Sequence, residues 1–427
     1  MTAQQALLDK IYQQFPALKH KNFRLYFTGQ LISFTGTWLQ GVAWGWLVFN
    51  LTGSPFWLGI VSALSTLPIL FLAPFGGLLA EKFSRKKVLY FTQGSSLLLA
   101  FILGLLTLAH AINLPILLLL ALLAGTINAL DNPATQAFMV DIVDKEDIPS
   151  AVGLNSSIIN TGVVIGSAIA GFLIALIGVG NIFLINALSF LAILASLYFI
   201  KLETNIIKSK ENPILAIKEG ITYSFNHPLI FILLLSAGVG SIFCFSQATI
   251  MPVFAKNVFH SGSSGLGYLL SVTGLGALSG SLIVSSKSKK YHAIHLMVIG
   301  NIIFLLSSFI FTLSSSIYLA AGMLFFSGLG MNLQFATMHA TVQRLVKEEF
   351  RSRVTSLYFL MFAGLGPLGN IFIGSASSAF GPQTAIRICL FIVSLYAIGV
   401  YLYAVRKQEQ LREYTQKLQP VFTYTKD

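Results

Sequence analysis

Long apolar blocks alternate with short polar breaks along this chain, and most blocks are near the ~20 residues a helix needs to cross a bilayer. Twelve spans are predicted, at roughly 24–49, 55–80, 88–109, 114–139, 150–176, 180–200, 228–252, 264–285, 293–313, 316–341, 354–377 and 384–405. The breaks are short except at 201–227, which separates six spans from six. The pattern predicts an all-α membrane protein with an N-terminal segment (1–23), a first half (24–200), a linker (201–227), a second half (228–405) and a tail (406–427). Outside the spans the apolar period becomes helical. Leu7, Leu8, Ile11, Tyr12 and Phe15 share one face, and Ile214, Ile217, Ile221 and Phe225 share another, opposite Lys218 and Glu219. Both read as amphipathic helices on the cytoplasmic side, lying on the membrane or on the protein itself.

Composition agrees. Charged residues make up 10% of the chain and hydrophobic ones 55%, against about 25% charged in soluble domains. The net charge of +12 raises the question of nucleic acid, and its distribution answers it. With both termini cytoplasmic, 25 of the 27 Lys and Arg fall on that side, leaving Lys256 and Arg387 opposite. This is the positive-inside signal of topology, with some affinity for anionic lipid, rather than a nucleic-acid patch. Cys244 and Cys389 lie far apart in apolar runs, so neither a disulfide framework nor a metal cluster is expected.

The chain also repeats. A shift of 203 residues superposes Gly77 on Gly280, Lys86-Lys87 on Lys289-Lys290, Gly125 on Gly328, Val143 on Val346, Glu146 on Glu349, Gly171 on Gly374 and Gly178 on Gly381. One offset at equivalent topological places implies two pseudo-symmetric six-helix halves of like orientation, a layout found in transporters.

Polar residues inside the spans are the candidate chemistry. Asp131 is the only acid deep within any span, where a charge costs about 2.5–3.5 kcal/mol on insertion scales. Asn128, Asp131 and Thr135 are spaced to share a helix face, and Pro133 removes one helical hydrogen bond beside them. The stripe reads either as a cavity-facing carboxylate that takes a proton or a cationic group, or as a structural acid at a kink. Gln30, Ser33, Thr37, Gln40 and Trp44 form a longer stripe in the first span, which lipid would penalise. Gln247, Asn332 and His339 are the corresponding candidates in the second half. At the end of the fourth span, Asp141 is either a solvated helix end or a gate residue.

In "GGLLAEKFSRKKVL" (76–89), Gly77, Glu81, Lys82, Arg85, Lys86 and Lys87 match the loop signature of the major facilitator superfamily, which the chain resembles along nearly its whole length. Ser84 replaces the usual Gly and Glu81 the usual Asp, and the second copy (280–290) lacks the acid. The stretches 22–61, 131–157 and "INALSF" (185–190) resemble the drug-efflux and enterobactin-exporter-like branch, with Thr135 in place of the usual Arg. "GVVIGSAIAG" (162–171) resembles the branch's Gly-rich antiporter motif, with Ser167 where Pro is usual. Gly162, Gly166 and Gly171 are expected to admit a neighbouring helix.

The resemblance implies the major facilitator fold. It also implies a cytoplasmic gate of Gly77, Glu81, Lys82, Arg85, Lys86 and Asp141, and a substrate and proton cavity around Asp131. The expected function is proton-coupled export of a small, partly apolar organic molecule, siderophore or drug-like, by a monomer in a bacterial inner membrane. A lipid or lysophospholipid transporter and a transport-dead receptor or scaffold are the alternatives. No HExxH, nucleophile elbow or phosphate-cradling loop occurs, so neither an enzyme nor a bound metal or cofactor is expected.

Overall fold

The computed structural model describes residues 12–72, 84–201, 213–287 and 293–406. The amphipathic pattern at Leu7, Leu8 and Ile11 and the loop residues Gly77, Glu81 and Lys82 lie outside them. Twelve long helical segments follow one another: α1 (Lys21–Thr52), α2 (Pro55–Leu72), α3 (Arg85–Leu108), α4 (Leu114–Asp141), α5 (Ile148–Ile177), α6 (Val179–Phe199), α7 (Pro228–Val258), α8 (Gly262–Lys287), α9 (Ala293–Leu313), α10 (Ile317–Leu345), α11 (Glu348–Phe380) and α12 (Pro382–Arg406). Among the described residues, eleven helices are long and apolar enough to cross a membrane. The helix outside that count is α1, long enough at 32 residues but diluted by Gln30, Ser33, Thr35, Thr37 and Gln40. Its polar stripe lowers the apolar content while marking it as a cavity helix. The outer faces are apolar, as lipid requires: Phe91, Phe172, Leu282 and Tyr318 are all more than 60% exposed.

By internal contacts the chain forms two compact units. One comprises Met1–Lys210 and Pro252–Ser271, the other Glu211–Met251 and Val272–Asp427. The first is cored by Phe23, Tyr26, Leu89, Phe138, Ile193 and Leu197. The second is cored by Leu233, Leu234, Phe335, Met338, Val354 and Tyr358.

The repeat seen in the sequence has a geometric basis within each unit. A Cβ at Gly125 of α4 would meet the Ser65 and Leu64 carbonyl oxygens of α2 at 2.7 and 2.9 Å, and one at Gly328 of α10 would overlap the Thr273 carbonyl of α8. At the α5–α6 joint Gly178 has φ 80° and ψ 164°; at the α11–α12 joint Gly381 has φ 84° and ψ 158°. Only glycine occupies this region without strain, at a cost of about 1–3 kcal/mol for other residues. Gly178→Ala and Gly381→Ala are therefore expected to lower the apparent melting temperature by similar amounts. Unequal shifts in a thermal unfolding assay would mean that the two joints are not mechanically equivalent.

Two helices depart from regular geometry. α7 passes through a 3-10 stretch (Phe245–Ile250) and a π-helical turn (Phe254–Val258), and α11 contains a π-helical turn at Leu360–Gly364. Such breaks in a membrane helix survive where side chains re-satisfy the backbone. Ser241 Oγ donates to the Phe362 carbonyl at 2.5 Å, and Thr249 Oγ1 donates to Asn370 Oδ1 at 2.9 Å.

The linker helix (Pro213–Phe225) shows that the two sequence readings are not exclusive. Its Gly220, Tyr223 and Ser224 are buried. Tyr223 stacks on Phe350 at 4.4 Å, and Glu219 pairs with Arg353 at 2.5 Å. Ile221 and Phe225, on the face expected to be apolar, stay exposed. One side packs on the protein, and Ile221 and Phe225 leave another exposed.

Candidate functional site

Asp131 sits on α4, which stays helical through Pro133. The adjacent Thr92 and Gln93 of α3 both reach it. Thr92 Oγ1 donates to Asp131 Oδ1. Gln93 Nε2 donates to Oδ1 at 3.0 Å and Oδ2 at 3.1 Å. One turn along α4, Thr135 Oγ1 donates to Oδ2 at 3.3 Å. Every partner is a neutral donor, and among the described residues Asp131 forms no ion pair. Neutral dipoles thus offset the burial of this carboxylate, each hydrogen bond to a charged group contributing about 1.5–3 kcal/mol.

These residues open on a cavity of about 130 Å³ within the first unit, ample for water beside polar groups. Of the sequence candidates, Gln30, Thr37, Gln40, Asn128, Asp131 and Thr135 line it. So do carboxamides that sequence reasoning passed over: Gln93, Asn132, Gln136, Asn155 and Asn186. Asn186 of α6 donates through Nδ2 to Gln40 Oε1 at 2.8 Å, which orients one wall. Phe34 and Phe190 supply apolar surface, and Asp131 is the only ionisable group in the lining. The chemistry on offer is one proton-accepting carboxylate in a field of neutral donors and acceptors.

The other cavity candidates lie elsewhere. Trp44 is not in the lining; its ring stands edge-on to Phe183 at 6.3 Å, and its indole N–H is buried and among the described residues has no hydrogen-bond partner. The helix explains this correction. At 1.5 Å per residue Trp44 lies about 21 Å along the axis from Gln30 and about 6 Å beyond Gln40, so it keeps the direction of the stripe but stands past the last residue of α1 that lines the cavity. Gln247, Asn332 and His339 belong to the second unit. Gln247 Nε2 is buried in the 3-10 stretch, and among the described residues it has no hydrogen-bond partner. Asn332 accepts from Ser281 at 2.8 Å. His339 lies 3.3 Å from Gln343 Nε2, with rings of Tyr358 and Phe359 at 4.9 and 5.5 Å. By the 203-residue repeat, the counterpart of Asp131 is Gln334, which is neutral and accepts from Asn301 of α9 at 3.1 Å.

At the end of α4, Asp141 pairs with Arg85, whose Nη1 also donates to the Ala137 carbonyl at 3.2 Å. Lys86 is placed differently from the expected charge cluster. Its Nζ donates to the Ile200 carbonyl at 2.6 Å, capping the C-terminal end of α6. Gly162, Gly166 and Gly171 of α5 each meet a neighbour. A Cβ at Gly162 or Gly166 would lie 2.8 Å from Phe34 or Trp38 of α1, and one at Gly171 would lie 2.6 Å from the Gly267 Cα of α8. Thr92 and Gln93 had a signal in the sequence, an adjacent polar pair in mid-span. Asn186 lay inside the quoted "INALSF".

A profile of the transmembrane secretion effector family matches residues 13–422, nearly the whole chain. The chain belongs to this family of major facilitator superfamily transporters. Its identity to the staphyloferrin A transporter of Staphylococcus aureus (strain NCTC 8325 / PS 47) is 26% over 400 residues, covering 91% of this chain and 97% of the relative. A multi-drug resistance efflux pump PmrA homolog of Lactococcus lactis subsp. lactis (strain IL1403) is 26% identical over 327 residues, 75% of this chain and 78% of the relative. The enterobactin exporter EntS of Shigella boydii serotype 18 is 27% identical over 264 residues, covering 62% and 63%. Among solved structures, a bacterial homolog of the human lysosomal transporter Spinster matches with a TM-score of 0.74 and 15% identity, over 89% of this chain and 96% of that one. These findings make the protein an integral membrane transporter of the major facilitator fold, not an enzyme.

Proposed function

We propose that this transporter is a secondary active exporter that moves a small, partly apolar organic molecule, siderophore or drug-like, out of a bacterial cell by alternating access. It does so in exchange for protons that load at Asp131. The observation that carries the reading is a lone carboxylate at membrane depth, held by neutral donors only and opening on a polar cavity. A group so placed gains or loses a proton without breaking an ion pair, and water in the cavity provides the path. Carboxamides and two phenyl rings suit an amphipathic ligand. The siderophore and efflux relatives support the substrate class and the direction, with both termini cytoplasmic in the plasma membrane.

Two measurements test the reading. Small-molecule profiles of cells lacking this chain, grown with and without iron, should show one compound retained inside. Purified transporter in proteoliposomes should then move that compound, faster when a pH gradient is imposed. Flux indifferent to the gradient would remove the proton from the mechanism.

The Arg85–Asp141 pair is assigned to the gate. Half-exposed pairs contribute roughly 0.2–1 kcal/mol, so Arg85→Gln or Asp141→Asn should change the rate at which a cysteine placed at Asn128 is labelled from the cytoplasmic side by up to about five-fold. Identical labelling before and after would end the gate assignment.

A further inference from the structure

The Gln93 carboxamide is half used. Its nitrogen spans both oxygens of Asp131 at 3.0 and 3.1 Å, while its carbonyl Oε1 is buried and among the described residues has no hydrogen-bond partner. The side chain is only 6% exposed and lines the cavity. A carboxylate only accepts hydrogen bonds, so the nitrogen must face it and the carbonyl is turned away. Leaving a buried acceptor unmatched costs about 1–3 kcal/mol. The arrangement is held because the two bonds it permits go to a charged group.

Protonation of Asp131 reverses that logic. One carboxyl oxygen becomes an O–H donor and the charge that fixed the amide vanishes. A half-turn of the Gln93 amide then brings Oε1 to accept the Asp131 proton and sends the NH₂ group to the pole where Oε1 had been stranded. Thr92 and Thr135 adapt without moving, because a hydroxyl both donates and accepts.

We propose that Gln93 is the positioning residue that reads the charge of Asp131: its amide donates to the carboxylate, turns over to accept from the acid, and so presents opposite poles in the two protonation states. This rests on the reading of Asp131 as the proton site. The groups facing Asp131 are Thr92 and Gln93 from α3 and Thr135 from its own helix. The titratable group beside Asp131 is Tyr26 of α1, whose buried hydroxyl reaches Thr135. The cavity lining adds no Lys, Arg, His or second acid. An amide that turns keeps one hydrogen bond to Asp131 in both states, so the acid is never wholly unmatched as its proton comes and goes.

The proton itself is the probe. Purified transporter in lipid is acidified in steps, and the carbonyl band of a protonated carboxylic acid is followed by infrared difference spectroscopy. A band present in wild type and missing from Asp131→Asn belongs to Asp131. In Gln93→Met, close in size but without hydrogen-bonding groups, that band should move in frequency, because the acid has lost the acceptor that took its proton. In Gln93→Glu two carboxyl groups face each other and share one proton. Half-protonation should then occur at a proton concentration at least ten-fold lower than in wild type. A band unmoved in Gln93→Met, or a Gln93→Glu titration superposing on wild type, overturns the role of Gln93 and leaves Asp131 as the proton site. Absence of any band assignable to Asp131 overturns both.

Discussion

Asp131→Asn is expected to abolish the response of transport to an imposed pH gradient while leaving the protein in the membrane. Asn matches Asp in size, and its carbonyl still accepts from Thr92 and Gln93, so the α3–α4 contact survives. Removing the charge also lifts an insertion cost of about 2.5–3.5 kcal/mol, so stability should hold or rise. What is lost is the group that carries the proton. A gradient of one pH unit is worth about 1.4 kcal/mol per proton, or about ten-fold in substrate accumulation. In everted vesicles the ratio of gradient-driven to undriven accumulation should fall from that range to about one. Equal ratios in wild type and variant would exclude Asp131 from coupling, though not from substrate binding.

Gly328→Leu should have the largest effect on folding. The hydrogen on Gly328 points at the Thr273 carbonyl of α8, and a Cβ there would also lie 3.2 Å from the Ala277 nitrogen. Both obstacles are backbone, so no side chain can swing away, and overpacking of this kind costs about 1–3 kcal/mol or more. The expected outcome is a lower apparent melting temperature and less monodisperse protein after extraction in detergent. Gly322→Leu, on the same helix with no neighbouring atom within 4 Å, is the control and should behave like wild type. A Gly328 variant as stable as that control would mean that α8 and α10 separate at little cost.

The sequence was most informative where lipid and water impose opposite demands. Apolar runs marked the helices, because a spanning segment has no other way to satisfy its backbone. Gly125 and Gly328, and Gly178 and Gly381, were visible as a repeat because close approach and an unusual φ admit no side chain. The polar stripe of α1 could be read for three of its steps and then ran past the end of the cavity at Trp44. Gln93 stayed hidden for a different reason. A carboxamide in mid-span has no charge to draw notice, and its meaning depends on a partner 38 residues away. Lys86 shows a limit of spacing, which counts charges and does not show which carbonyl a flexible ammonium will reach.

The repeat offers a last consequence through the neutral pair of Gln334 and Asn301. Duplication brought two equivalent places for an acid, and only the first holds one. Where its twin would stand, the neutral Gln334 accepts from Asn301 across the α9–α10 contact. Under the proposed exchange this position takes up a single proton per turnover, because only one of the two copies carries the carboxylate.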